Sequence, residues 1–193
     1  KKICIIGCGF LGLMISEILI NSFNSNEITL IDRNDFKLSY LDDSKNLNKV
    51  VLDSNEDWDN YIKNNQNTFD FVFEMSGFNK NFIRSINLGR PKAEVLWLGN
   101  INDDLIVNKN IVSSILRKEL KIIGTWNSNF KNDNDDWLYS LALIKNKIVS
   151  PKKYVTNFIN IKDLPSSLKK MFEHKIGKIR YNFIKYCVKF NED

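Results

Sequence analysis

Residues 2–20 read KICIIGCGFLGLMISEILI, and the hydrophobic period changes in the middle of the stretch. Lys2 to Gly7 is a short run of β-formers, whereas Leu11, Met14, Ile15 and Ile18 recur at helical spacing. Between them lies Gly7-Cys8-Gly9-Phe10-Leu11-Gly12, a G-x-G-x-x-G set placed where a strand ends and a helix begins. In such a turn Gly7 permits the tight bend, Gly9 omits the side chain that would block a pyrophosphate, and Gly12 lets helix and strand pack closely. The helix N-terminus adds N–H donors and the positive end of a dipole. A βα turn with no ligand is the alternative.

Outward from this turn, Glu27 to Asp32 (EITLID) reads as a second strand, with Asp32 twenty residues after Gly12. A carboxylate at that strand end can accept hydrogen bonds from the adenosine ribose and repels a 2′-phosphate, which favours NAD over NADP. Arg33 works in the opposite sense, since an arginine can welcome that phosphate. Further strands are expected at Val50–Asp53, Phe69–Met75, Glu94–Gly99 and Leu120–Thr125, and helices at Asp35–Lys45, Asp57–Asn65, Lys80–Leu88 and Asn108–Lys118. The alternation predicts an α/β fold, a Rossmann-type doubly wound sheet of six parallel strands filling residues 1–126.

After Thr125 the rhythm breaks. Asp133 to Asp136 reads as the acidic first turn of a helix that buries Trp137, Leu141 and Ile144. Pro151 interrupts, a strand is expected from Tyr154 to Ile159, Pro165 lies near another helix start, and Asn182 to Phe190 reads as a last strand. Residues 127–193 thus look like a return of the chain to some other structural unit.

Composition narrows the function classes. With 193 residues, 43% hydrophobic and 26% charged, the chain has material for one well-formed core and is not a disordered sequence. The net charge of +5 is spread among asparagines and acids rather than gathered in a basic stripe, so nucleic acid is not the expected partner. Glycines and Glu17 interrupt the apolar run from Ile3 to Ile20, so no membrane span is expected. Three cysteines without C-x-x-C spacing fit a reduced, cytoplasmic protein, and a single histidine, His174, gives no basis for a metal site.

Other chemistry-bearing residues are few. Cys8 stands among helix N-terminal amides, which lower thiol pKa values in general, but a small residue filling a variable turn position is the simpler reading. Glu74 closes the fourth strand, where open α/β sheets bind ligands, and is either a site residue or a structural carboxylate. His174 reads as a surface residue. Tyr181 and Lys185 have the Tyr-x-x-x-Lys spacing of short-chain dehydrogenases, but they come too late in the chain and on an expected strand. No catalytic residue is identified.

GCGFLG, LIDRNDFKL, VFEMSG and VLWLGN, with Ile115 to Ser128 (ILRKELKIIGTWNS), carry a resemblance. The chain resembles the coenzyme-binding half of the zinc-dependent medium-chain alcohol and polyol dehydrogenases, nearest the galactitol-1-phosphate and sorbitol dehydrogenase branch. IVSPKKYVTNF, IKDLPSSLKKMF and IKYCVKF resemble that family's C-terminal return into its catalytic domain. The resemblance implies that Asp32 and Lys37 meet the adenosine ribose and Gly9 to Leu11 the pyrophosphate. Met75, Leu98, Gly99 and Trp126 would border the nicotinamide, and Lys185 would contact the pyrophosphate. It implies NAD as cofactor, a polyol or polyol phosphate as substrate, and zinc in a catalytic domain that would precede Lys1. The chain by itself is then a fragment without dehydrogenase activity, and the apolar surface made for its neighbour favours self-association, a homo-oligomer. A stand-alone NAD(H)-sensing module is the second hypothesis.

Overall fold

The strand-forming runs join into one sheet. In the computed structural model, which describes residues 1–23, 26–101, 103–126, 128, 135–179 and 181–190, it has six strands. They are β1 (Lys2–Ile6), β2 (Glu27–Asp32), β3 (Leu47–Val51), β4 (Phe69–Glu74), β5 (Gly89–Trp97) and β6 (Lys121–Gly124). All pair in parallel, in the order β3-β2-β1-β4-β5-β6. The chain winds outward from β1 to β3, then crosses back to lay β4 on the other side of β1. A crevice therefore opens at the carboxyl ends of β1 and β4.

Burial explains the central position of β1. Ile3, Cys4, Ile5 and Ile6 are each no more than 4% exposed, as a strand covered on both faces requires. The connecting helices are α1 (Phe10–Ser22), α2 (Asp35–Leu38), α3 (Asn55–Asn65), α4 (Asn79–Leu88) and α5 (Lys109–Lys118). Trp58 of α3 packs into a cluster with Cys4, Ile6, Ile31, Val72 and Val95, while Phe82, Ile86 and Ile111 of α4 and α5 form a second. Helix ends are capped locally. Ser54 and Asp57 form a reciprocal capping box at α3, and Asn108 accepts from the amides of Asn110 and Ile111 at α5. Lys118, at the end of α5, donates to the carbonyls of Ile86, Asn87 and Gly89, where α4 runs into β5.

Two expectations need correction in this part of the chain. The helix expected over Asp35–Lys45 is a single turn ending at Leu38: the backbone turns at Ser39–Tyr40, and Asp42, Asp43 and Ser44 beyond offer no apolar face on which a helix could continue. The helix after the sixth strand, α6 (Asp136–Lys145), exists and is capped by Asp135, but it buries no residue. Trp137, Leu141 and Ile144, expected inside, are 62%, 58% and 42% exposed. Asp133 and Asn134 of the expected acidic turn lie outside the described residues, as does Asn127 of the TWNS segment.

The chain divides into two compact units, Lys1–Val149 and Ser150–Asp193. Residues up to Val149 stay with the sheet: Asn21 donates to the Ile148 carbonyl at 2.8 Å, and Val149 is buried. The second unit holds β7 (Val155–Asn160), α7 (Leu164–Lys175) and β8 (Lys185–Lys189), with β7 and β8 paired in parallel. A 3-10 turn at Pro151–Tyr154 precedes β7. His174 is half-buried here and not a surface residue. Its Nδ1 accepts from the Tyr181 amide at 3.2 Å and its ring meets Phe183 edge-on. Among the described residues no helix is long and apolar enough to cross a membrane.

Candidate functional site

The glycine turn between β1 and α1 is held by backbone contacts that leave no room for side chains at two of its three glycines. Gly7 has φ +96°, and a Cβ there would stand 2.7 Å from the Ser76 amide nitrogen. A Cβ on Gly12 would stand 2.1 Å from the Gly7 carbonyl oxygen. At Gly9, by contrast, a Cβ would meet nothing within 4 Å. Gly9 is thus the glycine facing open space, at the N-cap of a helix that no side chain caps. That is a cradle for an anionic group, the fit expected of a dinucleotide diphosphate. Phe10 is half-buried beside it, and Leu11 is 61% exposed.

Asp32 reaches the turn from the end of β2. Its Oδ2 accepts the Cys8 amide at 2.8 Å and lies 3.6 Å from Lys37 Nζ, while Oδ1 accepts the Asn34 amide at 2.9 Å. The carboxylate is buried, yet it has acceptor capacity beyond these partners. Lys37 offsets part of its charge, and Arg33 beside it is exposed. Cys8 is fully buried; burial, with Asp32 next, pushes its thiol pKa well up. It is a packed residue rather than a reactive thiol.

The floor of the crevice comes from the ends of β4 and β5. The Glu74 carbonyl accepts the amides of Leu98 and Gly99, both at 2.9 Å, which ties the two strand ends together. Gly77 and Gly99 meet so closely that a Cβ on Gly99 would stand 2.4 Å from the Gly77 nitrogen. The half-buried Met75 follows Glu74, its amide bonded to the Ile6 carbonyl at 2.9 Å. Beside these lies a cavity of about 270 Å³ lined by Trp97, Leu98, Gly99, Gly124, Thr125 and Trp126, among others. Trp97 Nε1 donates to the Gly99 carbonyl at 2.7 Å, while Trp126 is 77% exposed.

The structure thus brings Gly7, Gly9, Phe10, Leu11, Gly12, Asp32, Arg33 and Lys37 to one turn, and Leu98, Gly99 and Trp126 to one cavity. Lys185 begins β8 in the second unit, where it is exposed. The Tyr181 hydroxyl accepts from the Tyr186 hydroxyl at 3.1 Å. Sequence reading missed a chain of polar side chains behind the floor. The Ser76 hydroxyl bonds Glu74 and accepts from Asn81 at 2.9 Å, Asn81 accepts from Arg84 at 2.7 Å, and Arg84 donates to Asn55 at 2.9 Å. Arg84 also lies over the Trp58 ring, 4.5 Å from its centre. Only an arginine in an otherwise amphipathic helix hinted at it. Among the described residues no three His, Cys, Asp or Glu side chains are grouped as a metal ion needs, so these residues do not fit zinc.

Residues 11–146 match the family model for zinc-binding dehydrogenases. The chain belongs to that family. Solved structures of zinc-binding and other dehydrogenases share its fold at low identity. L-idonate 5-dehydrogenase from Escherichia coli K-12 superposes with a TM-score of 0.71 at 18% identity, over 98% of this chain and 50% of that one. Galactitol-1-phosphate dehydrogenase from Escherichia coli gives 0.70 at 19%, over 90% and 51%. An alcohol dehydrogenase from Escherichia coli CFT073, solved with NADH, gives 0.76 at 16%, over 98% and 52%. The chain spans about half the length of these proteins. No curated protein matches it by sequence. Family membership and fold together make this an α/β coenzyme-domain architecture of a dehydrogenase.

Proposed function

We propose that this chain is the NAD-holding part of a dehydrogenase that moves hydride between a polyol, or polyol phosphate, and NAD. The observation that carries the reading is the open Cβ position of Gly9 at an uncapped helix start, with the buried Asp32 carboxylate fastened to the same turn. In this reading Gly7, Gly9 and Gly12 shape the turn, and amides around Phe10 and Leu11 meet the diphosphate. Asp32 and Lys37 hold the adenosine ribose, Arg33 flanks it, and Met75, Leu98, Gly99 and Trp126 border the nicotinamide. Residues 127–193 serve as the return segment of a catalytic domain. When bound, NAD supplies the hydride acceptor; the chain's own residues orient it and shield one face from water.

Preference for NAD over NADP follows from charge. A 2′-phosphate would come against the Asp32 carboxylate, although Lys37 at 3.6 Å and the exposed Arg33 soften the repulsion. Intrinsic fluorescence titration with NADH and NADPH tests this, since Trp97 and Trp126 line the cavity beside the proposed nicotinamide position. NADH is expected to bind about tenfold more tightly, roughly 1.4 kcal/mol; equal binding of NADPH overturns the preference, and binding of neither overturns the site. Galactitol-1-phosphate and L-idonate are the substrate classes to try first with the intact protein. The chain alone is expected to bind dinucleotide without oxidising a polyol, and polyol-dependent NADH formation by it would contradict the division of labour. A homo-oligomer belongs to the same proposal, supported by the exposed apolar side chains of α6, and so does a cytoplasmic location, which the sparse, unpaired cysteines favour.

A further inference from the structure

At the end of β4 sits a fully buried carboxyl with one oxygen satisfied and the other lacking a hydrogen-bond partner among the described residues. Glu74 Oε1 accepts from the Ser76 amide at 3.0 Å and from the Ser76 hydroxyl. Oε2 faces Gly99, so closely that a Cβ there would stand 2.5 Å from it. An ionised carboxylate in this position leaves negative charge on an unsolvated oxygen, a costly arrangement in a protein interior. A neutral carboxyl avoids that cost.

Among the described residues, the elements packed around Glu74 bring no offsetting cation to it. β1 opposes it with Ile6 and β5 with Trp97. The ionisable groups on neighbouring segments are engaged elsewhere: the Cys8 thiol with the Ile31 carbonyl, Lys37 with Asp32, and Arg84 with Asn81 and Asn55. Burial raises the Glu74 pKa; the Ser76 hydrogen bonds, with the dipole of the nearby Gly77 amide, oppose the rise only in part.

Ser76 connects this carboxyl to the crevice. It is exposed, its backbone is what a side chain on Gly7 would strike, and its hydroxyl bonds Glu74 below. It is therefore both the contact between Glu74 and the glycine turn and a route for a proton from solvent. On the dinucleotide reading given above, we propose that Glu74 is a positioning residue for the crevice floor and takes up a proton when a dinucleotide diphosphate settles on the glycine turn. The diphosphate is an anion placed over the turn that rests on Ser76. Added negative charge nearby raises the proton affinity of a buried carboxyl. With its pKa higher in the bound than in the free protein, binding takes up a proton, and affinity falls as pH rises between the two values.

Calorimetric titration of the chain with NADH, in two buffers of different ionisation enthalpy and at several pH values, reads affinity and proton exchange together. The expected result is binding with net uptake of up to one proton, and an affinity about tenfold weaker at the alkaline end, one pKa unit of separation. Glu74→Gln keeps an acceptor for Ser76 but cannot titrate; it is expected to bind without that uptake and with a flatter pH profile. Ser76→Ala removes a donor that favours the carboxylate, so it is expected to move the uptake to higher pH. Undiminished uptake in Glu74→Gln, or an unmoved profile in Ser76→Ala, overturns the assignment while leaving dinucleotide binding in place. Failure of the unaltered chain to bind NADH overturns the dinucleotide reading, and this inference with it.

Discussion

α4 and α6 are both ten residues long, and they end in opposite circumstances. α4, NKNFIRSINL, mixes polar and apolar residues and buries Asn81, Phe82, Arg84, Ser85, Ile86 and Leu88. α6, DWLYSLALIK, is the more apolar of the two and buries none. Apolar content therefore measures what a helix can bury, while its place in the fold decides whether anything is there to receive it. α4 lies between α3, α5 and the sheet; α6 follows the edge strand, where the sheet has no further strand to offer. Even the polar residues of α4 are used, since Asn81 and Arg84 carry the chain of hydrogen bonds behind the crevice.

Four experiments press on this contrast between the closely packed crevice region and the bare helix. Gly12→Ala has the largest expected effect, because its methyl would meet the backbone oxygen of Gly7 at 2.1 Å. A loss of more than about 3 kcal/mol, or failure to fold, is expected in thermal unfolding; a variant melting with the unaltered protein would refute the close packing. Ile86→Ala in α4 removes a fully buried side chain and should cost about 3 kcal/mol in urea denaturation. Asp32→Ser is expected to weaken NADH about tenfold or more while changing NADPH much less, so that the preference narrows. The smallest effect belongs to α6: Trp137→Ser, at 62% exposure, should leave monomer stability within about 0.5 kcal/mol. A Trp137 variant as damaging as Ile86→Ala would mean that α6 is covered in solution, and the difference should then depend on protein concentration.

The fold was legible where the determining pattern is local. The switch of period across Gly7 to Gly12 and the spacing to Asp32 lie within one βαβ unit, and the structure brings those residues to one turn. Glu74 was visible as a carboxylate at a strand end, but whether it faced ligand or backbone was not. That depends on Ser76, Gly77 and Gly99 closing around it, two segments apart in the chain. The extent of α2 is not legible, because the backbone turns at Ser39–Tyr40, directly after the single helical turn, within a stretch whose composition does not forbid helix. The exposure of Trp137, Leu141 and Ile144 is illegible for a different reason: periodicity names the face and says nothing of a partner.

The Lys118 ammonium has a consequence for how this half of the sheet opens. The last carbonyls of α4 take donors from a side chain on α5, thirty-two residues on in the case of Ile86. Unwinding the end of α4 therefore strands that ammonium, and releasing α5 strips the carbonyls. The two helices are expected to behave as one cooperative unit in native-state hydrogen exchange, their slowest amides sharing a single opening free energy. Lys118→Met would split that unit, letting the last turn of α4 exchange ahead of the rest.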